Sequence, residues 1–207
     1  MLYSQFIETA LKTAYRLFEG RIRKGDDSPM FLHGLAVMLI LAEDEQNRDD
    51  EEMLAAALLH DAIEDLPAGT AETLRGLYPL NPRVVDLVED LTDPLGRQQS
   101  EAWKRTRYRE RKQAYIDHLL AVEDLAVVRI SCADKIHNLR GFNLGCQVHG
   151  LKYWEPFNAP PATHLWYFEK LQWVFGSRLG NESPLFVEYD RLYHQLRERL
   201  VACMEEE

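Results

Sequence analysis

The segment MLAAALLHDAIED, residues 53–65, decides the fold class of this chain. Its apolar residues point to nearly every side of a helix rather than along one stripe, which predicts a helix buried in the core. Asp49, followed three residues later by Glu52, resembles a capping box at the start of this helix, and Pro67 is expected to end it. A chain organised around such a helix is expected to pack further helices against it.

The same segment carries four ionisable side chains: His60, Asp61, Glu64 and Asp65. His60 precedes Glu64 by four residues, and Asp61 precedes Asp65 by four, so all four side chains share one broad helix face. Charged groups are almost never buried without a partner, and this segment contains neither Lys nor Arg. The crowded carboxylates therefore predict a cation, which is either a metal ion or a basic side chain from another helix.

Two further polar residues interrupt apolar helical stretches. His33 lies in MFLHGLAVMLIL, and Asp134 lies among buried-type residues with Asn138 four positions later on the same face. Taken singly, His33 is readily read as a hydrogen-bonded core residue, and Asp134 as a partner of Lys135 or Arg140. Three such interruptions in three core helices of one chain instead favour a shared metal site.

The remaining sequence predicts an all-α fold. No run alternates with a period of two over the length of a strand. The apolar spacing and the helix-ending Gly and Pro residues predict further helices, while the segment 147–162, rich in Pro and aromatics, is expected to be irregular. The predicted helices outside 53–65 cover approximately 4–20, 29–42, 82–91, 103–120, 124–140, 164–178 and 184–204.

Composition limits the classes of function. The 207 residues fit one domain, and a net charge of −10 opposes binding to a nucleic-acid polymer while leaving room for a small anionic substrate. No apolar run approaches the roughly 20 residues that cross a bilayer, so no membrane association is expected. The N-terminal residues lack the features of a signal peptide, and three cysteines without a CxxC pair predict no disulfide framework. These features predict a cytoplasmic protein; they leave its oligomeric state open.

The order of His33, His60-Asp61 and Asp134 resembles the HD superfamily of metal-dependent phosphohydrolases. The resemblance is greater to the hydrolase domain of RelA/SpoT proteins and to stand-alone small alarmone hydrolases. It rests on Arg23-Lys24, on HDAIED from His60, on EDLTD from Glu89, and on ADKIHN from Ala133. These motifs span a core of about residues 5–145, and the tail, about 146–207, resembles C-terminal helices of a bacterial branch. The resemblance implies an HD-domain helical bundle with additional C-terminal helices, forming a single domain over residues 1–207.

The residues and the resemblance together predict a nucleotide hydrolase. Two imidazoles and two carboxylates suit one divalent ion, with Mn²⁺ favoured and Zn²⁺, Fe²⁺ or Co²⁺ as alternatives. A bound ion would lower the pKa of a water and offset charge on the phosphate. The predicted metal ligands are His33, His60, Asp61 and Asp134; the predicted general acid–base pair is Glu64 and Asp65. The resemblance further implies substrate contacts from Arg23, Lys24 and Asn138, and guanosine tetraphosphate, (p)ppGpp, as the substrate, cleaved at its 3′-pyrophosphate.

Departures from the family pattern leave the substrate open. None of them is a predicted metal ligand or a member of the Glu64–Asp65 pair, and several border the expected substrate pocket: they are Phe18, Arg21, Met30, Gly34, Asp90 and Gly141. An HD hydrolase of another nucleotide, such as the 2′-phosphate of NADPH, a 5′-nucleotide or a deoxynucleotide, is one alternative. A non-catalytic nucleotide sensor is another, although a sensor has no need of Glu64 and Asp65.

The other basic and histidine residues have simpler interpretations. The run Lys104–Lys112 is best explained as a solvated amphipathic helix, with a phosphate-facing lid as the less favoured reading. His137 is expected to serve in packing rather than to support the metal site. The four other histidines lie in polar or loop settings without ligand-like spacing: His118, His149, His164 and His194.

Overall fold

The computed structural model describes the backbone of residues 4–25, 27–66, 70–77, 81–95 and 99–205; the side chains of Asp65, Leu77, Glu101, Met204 and Glu205 are not described. Within these ranges helices and connecting loops are present, and there is no β-strand. An isolated bridge joins Ile22 and Pro29. The α-helices are α1 (Gln5–Leu17), α2 (Met30–Glu43), α3 (Glu45–Arg48), α4 (Glu51–Leu59), α5 (Ala62–Asp65), α6 (Ala71–Leu77), α7 (Pro82–Leu91), α8 (Glu101–Thr106), α9 (Tyr108–Ala121), α10 (Leu125–His149), α11 (Pro161–Leu179) and α12 (Pro184–Glu205), with a 3₁₀ turn at Gly150–Trp154. The predicted all-α fold class is confirmed.

Side-chain caps define the starts of several helices. Ser4 accepts a hydrogen bond from the Ile7 amide at the start of α1, and Asp50 accepts one from the Met53 amide at the start of α4. Such caps satisfy amides that have no partner within the helix. The predicted cap at Asp49 is therefore wrong by one residue.

Helix α10 lies at the centre of the fold. It packs against α2, α4 and α7, and also against α11 and α12 of the C-terminal segment. Buried side chains from the described helices other than α3 and α8 form one hydrophobic cluster. The residues on α10 that face α2 and α4 are consequently held from several sides.

Helix α10 is longer than predicted. The sequence predicted an end near Arg140 and an irregular segment from residue 147, whereas the helix continues to His149 and ends at Gly150, whose φ is +60°. A Cβ on Gly145 would lie 2.2 Å from the Tyr153 ring, so glycine allows the 3₁₀ turn to fold back onto the helix. Gly145 therefore lies inside the helix and serves this close packing.

The predicted helix through residues 53–65 is interrupted at His60 and Asp61. These two residues form a turn between α4 and α5, with Asp61 at φ −88° and ψ −3°. The residues of α4 from Met53 to Leu59 are buried, as the apolar pattern predicted. The histidine and aspartate thus occupy the end of a buried helix. The predicted 103–120 helix is likewise divided, into α8 and α9 around Arg107.

None of the described helices combines the length and apolar character required to cross a membrane.

Candidate active site

The four predicted metal ligands converge at the junction of α2, α10 and the α4–α5 turn. One ligand atom each from His33, His60 and Asp61 lies within 4.8 Å of the other two. Oδ1 of Asp134 lies 3.1 Å from His33 Nε2 and 3.9 Å from His60 Nε2, and Asp61 Oδ2 lies 3.2 Å from His60 Nε2. Side chains from positions up to 101 residues apart therefore enclose one small volume.

The hydrogen bonding of His60 leaves one ring nitrogen available as a ligand. His60 Nδ1 lies 2.8 Å from the Ala57 carbonyl oxygen, which can only accept, so Nδ1 carries the proton. In the neutral ring, Nε2 then has a free lone pair; this atom is buried and makes no aligned hydrogen bond among the described residues. An imidazole oriented through its other nitrogen, as here, is the usual arrangement of a metal-binding histidine.

The charges on His33, His60, Asp61 and Asp134 favour the binding of a cation among them. Burial opposes a charged His60, but the carboxylates of Asp61 and Asp134 outweigh it and raise the His60 pKa to about 9. Burial would raise the pKa of Asp134, yet Lys135 and the two histidines hold it well below its usual range. The residues present therefore suit a divalent cation, which satisfies the two carboxylates and the free imidazole nitrogen together.

Neighbouring residues on α10 orient the Asp134 carboxylate. Asn138 Nδ2 donates to Asp134 Oδ1 at 2.6 Å, and Lys135 forms an ion pair with Asp134 Oδ2. Asn138 was predicted as a substrate contact, and it lines the adjoining cleft as well. Its amide is thus positioned beside both the proposed ligand and the cleft.

His137 belongs to this site, and the prediction that it serves in packing is wrong. Its Nδ1 lies 2.9 Å from His33 Nδ1 and 2.9 Å from Arg23 Nη1. These partners lie on α2 and on the loop before it, 104 and 114 residues away in sequence. No local pattern identifies partners at such separations, which explains why the sequence did not show this role.

Glu64 lies beside the metal-site residues and in contact with a buried ion pair. Its carboxylate lies 3.4 Å from Arg111 Nη2, and the same guanidinium nitrogen lies 2.7 Å from Asp93 Oδ2. The Arg111 and Asp93 side chains are only 4% and 2% exposed, whereas Glu64 retains 24%. Glu64 is accessible and held by a fixed cation; the side chain of Asp65 lies outside the described part of the structure.

A basic cleft extends from the metal-site residues. A cavity of about 520 Å³ is lined by His33, Asp61 and Asp134 together with Arg23 and Lys24. A second cavity of about 290 Å³ shares Arg23, Lys24, Glu64, Lys112, Lys135 and Asn138 with the first, so the two are lobes of one cleft. The predicted substrate contacts Arg23, Lys24 and Asn138 all line it.

The basic run is only partly the solvated face that was predicted. Lys104, Arg111 and Lys112 line the second lobe. Arg107 instead pairs with Glu110 on the surface, and Arg109 lies over the Trp166 ring. Helices α8 and α9 turn one side of the run toward the cleft. The number of charges in the sequence does not show which side this is.

Aromatic side chains form the far wall of the second lobe, and His164 is among them. His164 is buried beside Phe142 and Phe157, and its Nδ1 lies 3.2 Å from the Tyr108 hydroxyl. Burial, with a contribution from Lys112, lowers the His164 pKa to about 4. The expectation of a polar or loop setting is wrong for this histidine, because α11 begins inside the aromatic cluster.

Comparison with known proteins places this geometry in a family. Residues 10–151 match the profile of the HD domain. The chain belongs to the HD domain family. The predicted family is therefore confirmed, and the matched residues of this HD domain include every proposed metal ligand.

Relatives of this HD domain include enzymes of alarmone metabolism. It is 34% identical over 127 residues to the bifunctional (p)ppGpp synthase/hydrolase SpoT of Escherichia coli K12, covering 59% of this chain and 16% of that protein. It is 30% identical over 136 residues to a putative chloroplastic GTP diphosphokinase, RSH1, of Oryza sativa subsp. japonica, covering 65% and 15%. The chain thus spans about one sixth of the length of the curated relatives it matches.

A solved structure agrees over nearly the whole chain. A metazoan ortholog of SpoT, described as hydrolysing ppGpp and acting in starvation responses, superposes with a TM-score of 0.71 at 26% identity. The match covers 94% of this chain and 97% of that one. The helical arrangement, including the C-terminal helices, is therefore shared with that protein.

Proposed function

We propose that this HD domain is a divalent-metal-dependent phosphohydrolase that removes pyrophosphate from the ribose 3′ position of (p)ppGpp. The observation that carries the proposal is the convergence of His33, His60, Asp61 and Asp134 at one end of a cleft lined by cations. The ppGpp-hydrolysing activity named for the metazoan relative supports the choice of substrate.

The metal would be held by those four side chains, and Mn²⁺ is the proposed ion. Two nitrogen and two oxygen donors suit Mn²⁺, with Zn²⁺, Fe²⁺ or Co²⁺ as alternatives, and leave positions free on a six-coordinate ion. When bound, the ion polarises the phosphate and makes a water more acidic. The protein's part is to hold the donors in place, as the Nδ1 contact of His60 and the Asn138 contact of Asp134 do.

Glu64 and Asp65 are proposed to move protons to and from the water and the leaving group. Glu64 lies at the junction of the two cleft lobes, beside Asp61 and Asp134, and is not required as a ligand. Arg111, fixed by Asp93, contacts the Glu64 carboxylate and limits its movement. A positioned carboxylate of this kind contributes to general acid–base catalysis.

The cleft is proposed to bind the nucleotide through charge and stacking. Arg23, Lys24, Lys104, Arg111 and Lys112 place positive charge along a cleft in a protein whose net charge is −10. A polyanion is therefore attracted locally although the protein as a whole repels it. The same net charge argues against a nucleic-acid polymer as the partner.

A second class of nucleotide substrate is proposed as an alternative because several residues at the rim of the cleft depart from the family pattern. Phe18, Arg21 and Met30, which depart from the family pattern, line the lobe beside the metal-site residues, and Gly141 lines the other lobe. These positions alter the shape of the pocket, so another phosphorylated nucleotide, such as NADPH, is the alternative. The position of Glu64, which lines the same lobe as the metal-site residues, argues against a sensor without turnover.

We also propose a cytoplasmic location. A nucleotide substrate is found there, and Cys132, Cys146 and Cys203 are free thiols, as expected in a reducing compartment.

The proposal is tested by incubating the purified Mn²⁺-loaded protein with ppGpp, NADPH, and nucleoside mono- and triphosphates. We expect the parent protein to release pyrophosphate and GDP from ppGpp. The Asp61→Asn variant should not release them. Turnover of simple 5′-monophosphates without cleavage of ppGpp or NADPH would show that the assigned substrate class is wrong.

A further inference from the structure

The two terminal nitrogens of Arg23 bind two adjacent residues of α10. Nη1 lies 2.9 Å from His137 Nδ1, and Nη2 donates to Asn138 Oδ1 at 2.7 Å. Arg23 lies on the loop between α1 and α2 and is half-buried. One edge of its planar guanidinium is therefore occupied by these two contacts.

Each of these two residues in turn contacts a proposed metal ligand. His137 Nδ1 lies 2.9 Å from His33 Nδ1, and Asn138 Nδ2 donates to Asp134 Oδ1 at 2.6 Å. Arg23 is thus linked through His137 to His33 on α2, and through Asn138 to Asp134 on α10.

The chemistry of these groups fixes where the protons lie. A guanidinium can only donate, so the His137 Nδ1 it contacts must be an acceptor. His33 Nδ1 contacts that same acceptor and must itself donate. In the neutral ring the lone pair is then on Nε2, the atom that lies 3.5 Å from Asp61 Oδ2 and 3.1 Å from Asp134 Oδ1, where it would bind the metal ion. Likewise, Asn138 turns its oxygen to Arg23 and its amino group to Asp134.

We propose that Arg23 is a positioning residue for the metal site, in addition to any contact it makes with the nucleotide. It sets the tautomer of His33 through His137 and the orientation of the Asp134 carboxylate through Asn138. The ligands are then arranged before a nucleotide arrives. This inference rests on the proposed ligand set and is independent of which phosphoester is cleaved.

The direct charge effect and the positioning effect of Arg23 have opposite signs. A cation close to a metal site repels the metal ion, so removing its charge alone should tighten metal binding. Removing a residue that orients metal ligands weakens binding by about 10- to 100-fold. The direction of the change therefore separates the two effects.

The chain provides a matched control in Arg21. Arg21 lies on the same loop and lines the same lobe of the cleft, and it is exposed. Its backbone bonds to Phe18 and Met30, and within the described ranges its side chain forms no hydrogen bond or ion pair. Arg21→Gln removes one positive charge near the site, as Arg23→Gln does, without disturbing His137 or Asn138.

The experiment measures the Mn²⁺ affinity of nucleotide-free protein by competition with a fluorescent chelator. Arg23→Gln should weaken Mn²⁺ binding by about 10- to 100-fold, whereas Arg21→Gln should leave it unchanged or slightly tighter. Binding by Arg23→Gln as tight as the parent's, or tighter, would overturn the inference. His60→Ala tests the ligand set separately: loss of metal there with full affinity in Arg23→Gln refutes the positioning role alone.

A second pair of variants covers the case in which Arg23→Gln does not fold. His137→Leu removes the shared acceptor and should weaken Mn²⁺ binding to a similar extent, while His137→Gln restores an accepting oxygen and should recover part of it. The visible spectrum of bound Co²⁺ should change in His137→Leu, because the ligand geometry changes. Parent-like affinity and spectrum in His137→Leu would also contradict the inference.

Discussion

Gly34 allows the two helices that carry His33 and His60 to approach each other closely. A Cβ at position 34 would lie 2.6 Å from the Leu58 carbonyl oxygen and 3.2 Å from its carbonyl carbon. These are backbone atoms, so Gly34→Ala can be accommodated only if α2 moves away from α4. Ordinary contact begins at 3.4 Å, so the required displacement is close to 1 Å.

The energetic cost of that displacement can be separated from helix propensity. Overpacking a core costs about 1–3 kcal/mol, whereas replacing a helical glycine by alanine contributes roughly 1 kcal/mol of stability. Gly141→Ala is the matched control, since it lies within α10 and its Cβ would meet only the Tyr153 hydroxyl at 3.9 Å. The difference between the two variants in the free energy of unfolding should equal the overpacking term.

The measurement is urea unfolding of both variants without metal, followed by Mn²⁺ titration. Gly34→Ala should be less stable than Gly141→Ala by about 1–3 kcal/mol. It should also bind Mn²⁺ at least tenfold more weakly, because metal–ligand distances tolerate only about 0.2 Å. A stability difference below about 0.5 kcal/mol, with parental metal affinity, would refute the reasoning that close packing at Gly34 sets the distance between His33 and His60.

Three further outcomes are expected from other parts of the site. Glu64→Gln and Asp65→Asn should keep the fold and the metal while lowering kcat by about 10²–10⁴; parental turnover in both would remove them from the mechanism. Because burial lowers the His164 pKa to about 4 from 6.5, the native state binds fewer protons than the unfolded state between these pH values, and the free energy of unfolding should fall by about 3 kcal/mol as the pH decreases from 6.5 through 4. His164→Phe should lose that part of the pH dependence, and an unchanged profile would contradict it. Arg111→Met removes the cation nearest to the buried Asp93 carboxylate, which lies 2.7 Å away, and leaves Lys112 at 3.8 Å; it should destabilise the protein by up to about 3–5 kcal/mol. Asp93→Asn should recover part of the loss in the double variant, and denaturant unfolding measures both.

The sequence was sufficient to predict that the side chains of His33, His60 and Asp134 would converge. Burying a charge is costly, so a carboxylate or imidazole in an apolar helix is conspicuous in the sequence alone. His33, His60 and Asp134 each stood out in this way, and the structure brings them together. The all-helical fold followed from the same apolar spacing.

Contacts between distant residues could not be predicted in this way. The interaction of His33 with His137 joins positions 104 residues apart. In the sequence Arg111 was one cation in a run predicted to be solvated, whereas in the structure α9 places it 2.7 Å from the buried Asp93. The interruption at His60 and Asp61 was also missed, because side-chain periodicity records which face is buried and does not record which backbone hydrogen bonds form. The end of α10 was predicted about nine residues too early, because the packing of Tyr153 against Gly145 joins two segments whose contact the sequence does not show.

Elemental analysis of the purified protein tests the metal-centred account most directly. The parent should contain about one divalent transition metal ion per chain, and His60→Ala and Asp134→Ala, each confirmed as folded, should contain almost none. Retention of the metal by both variants at the parental level would contradict the proposed site.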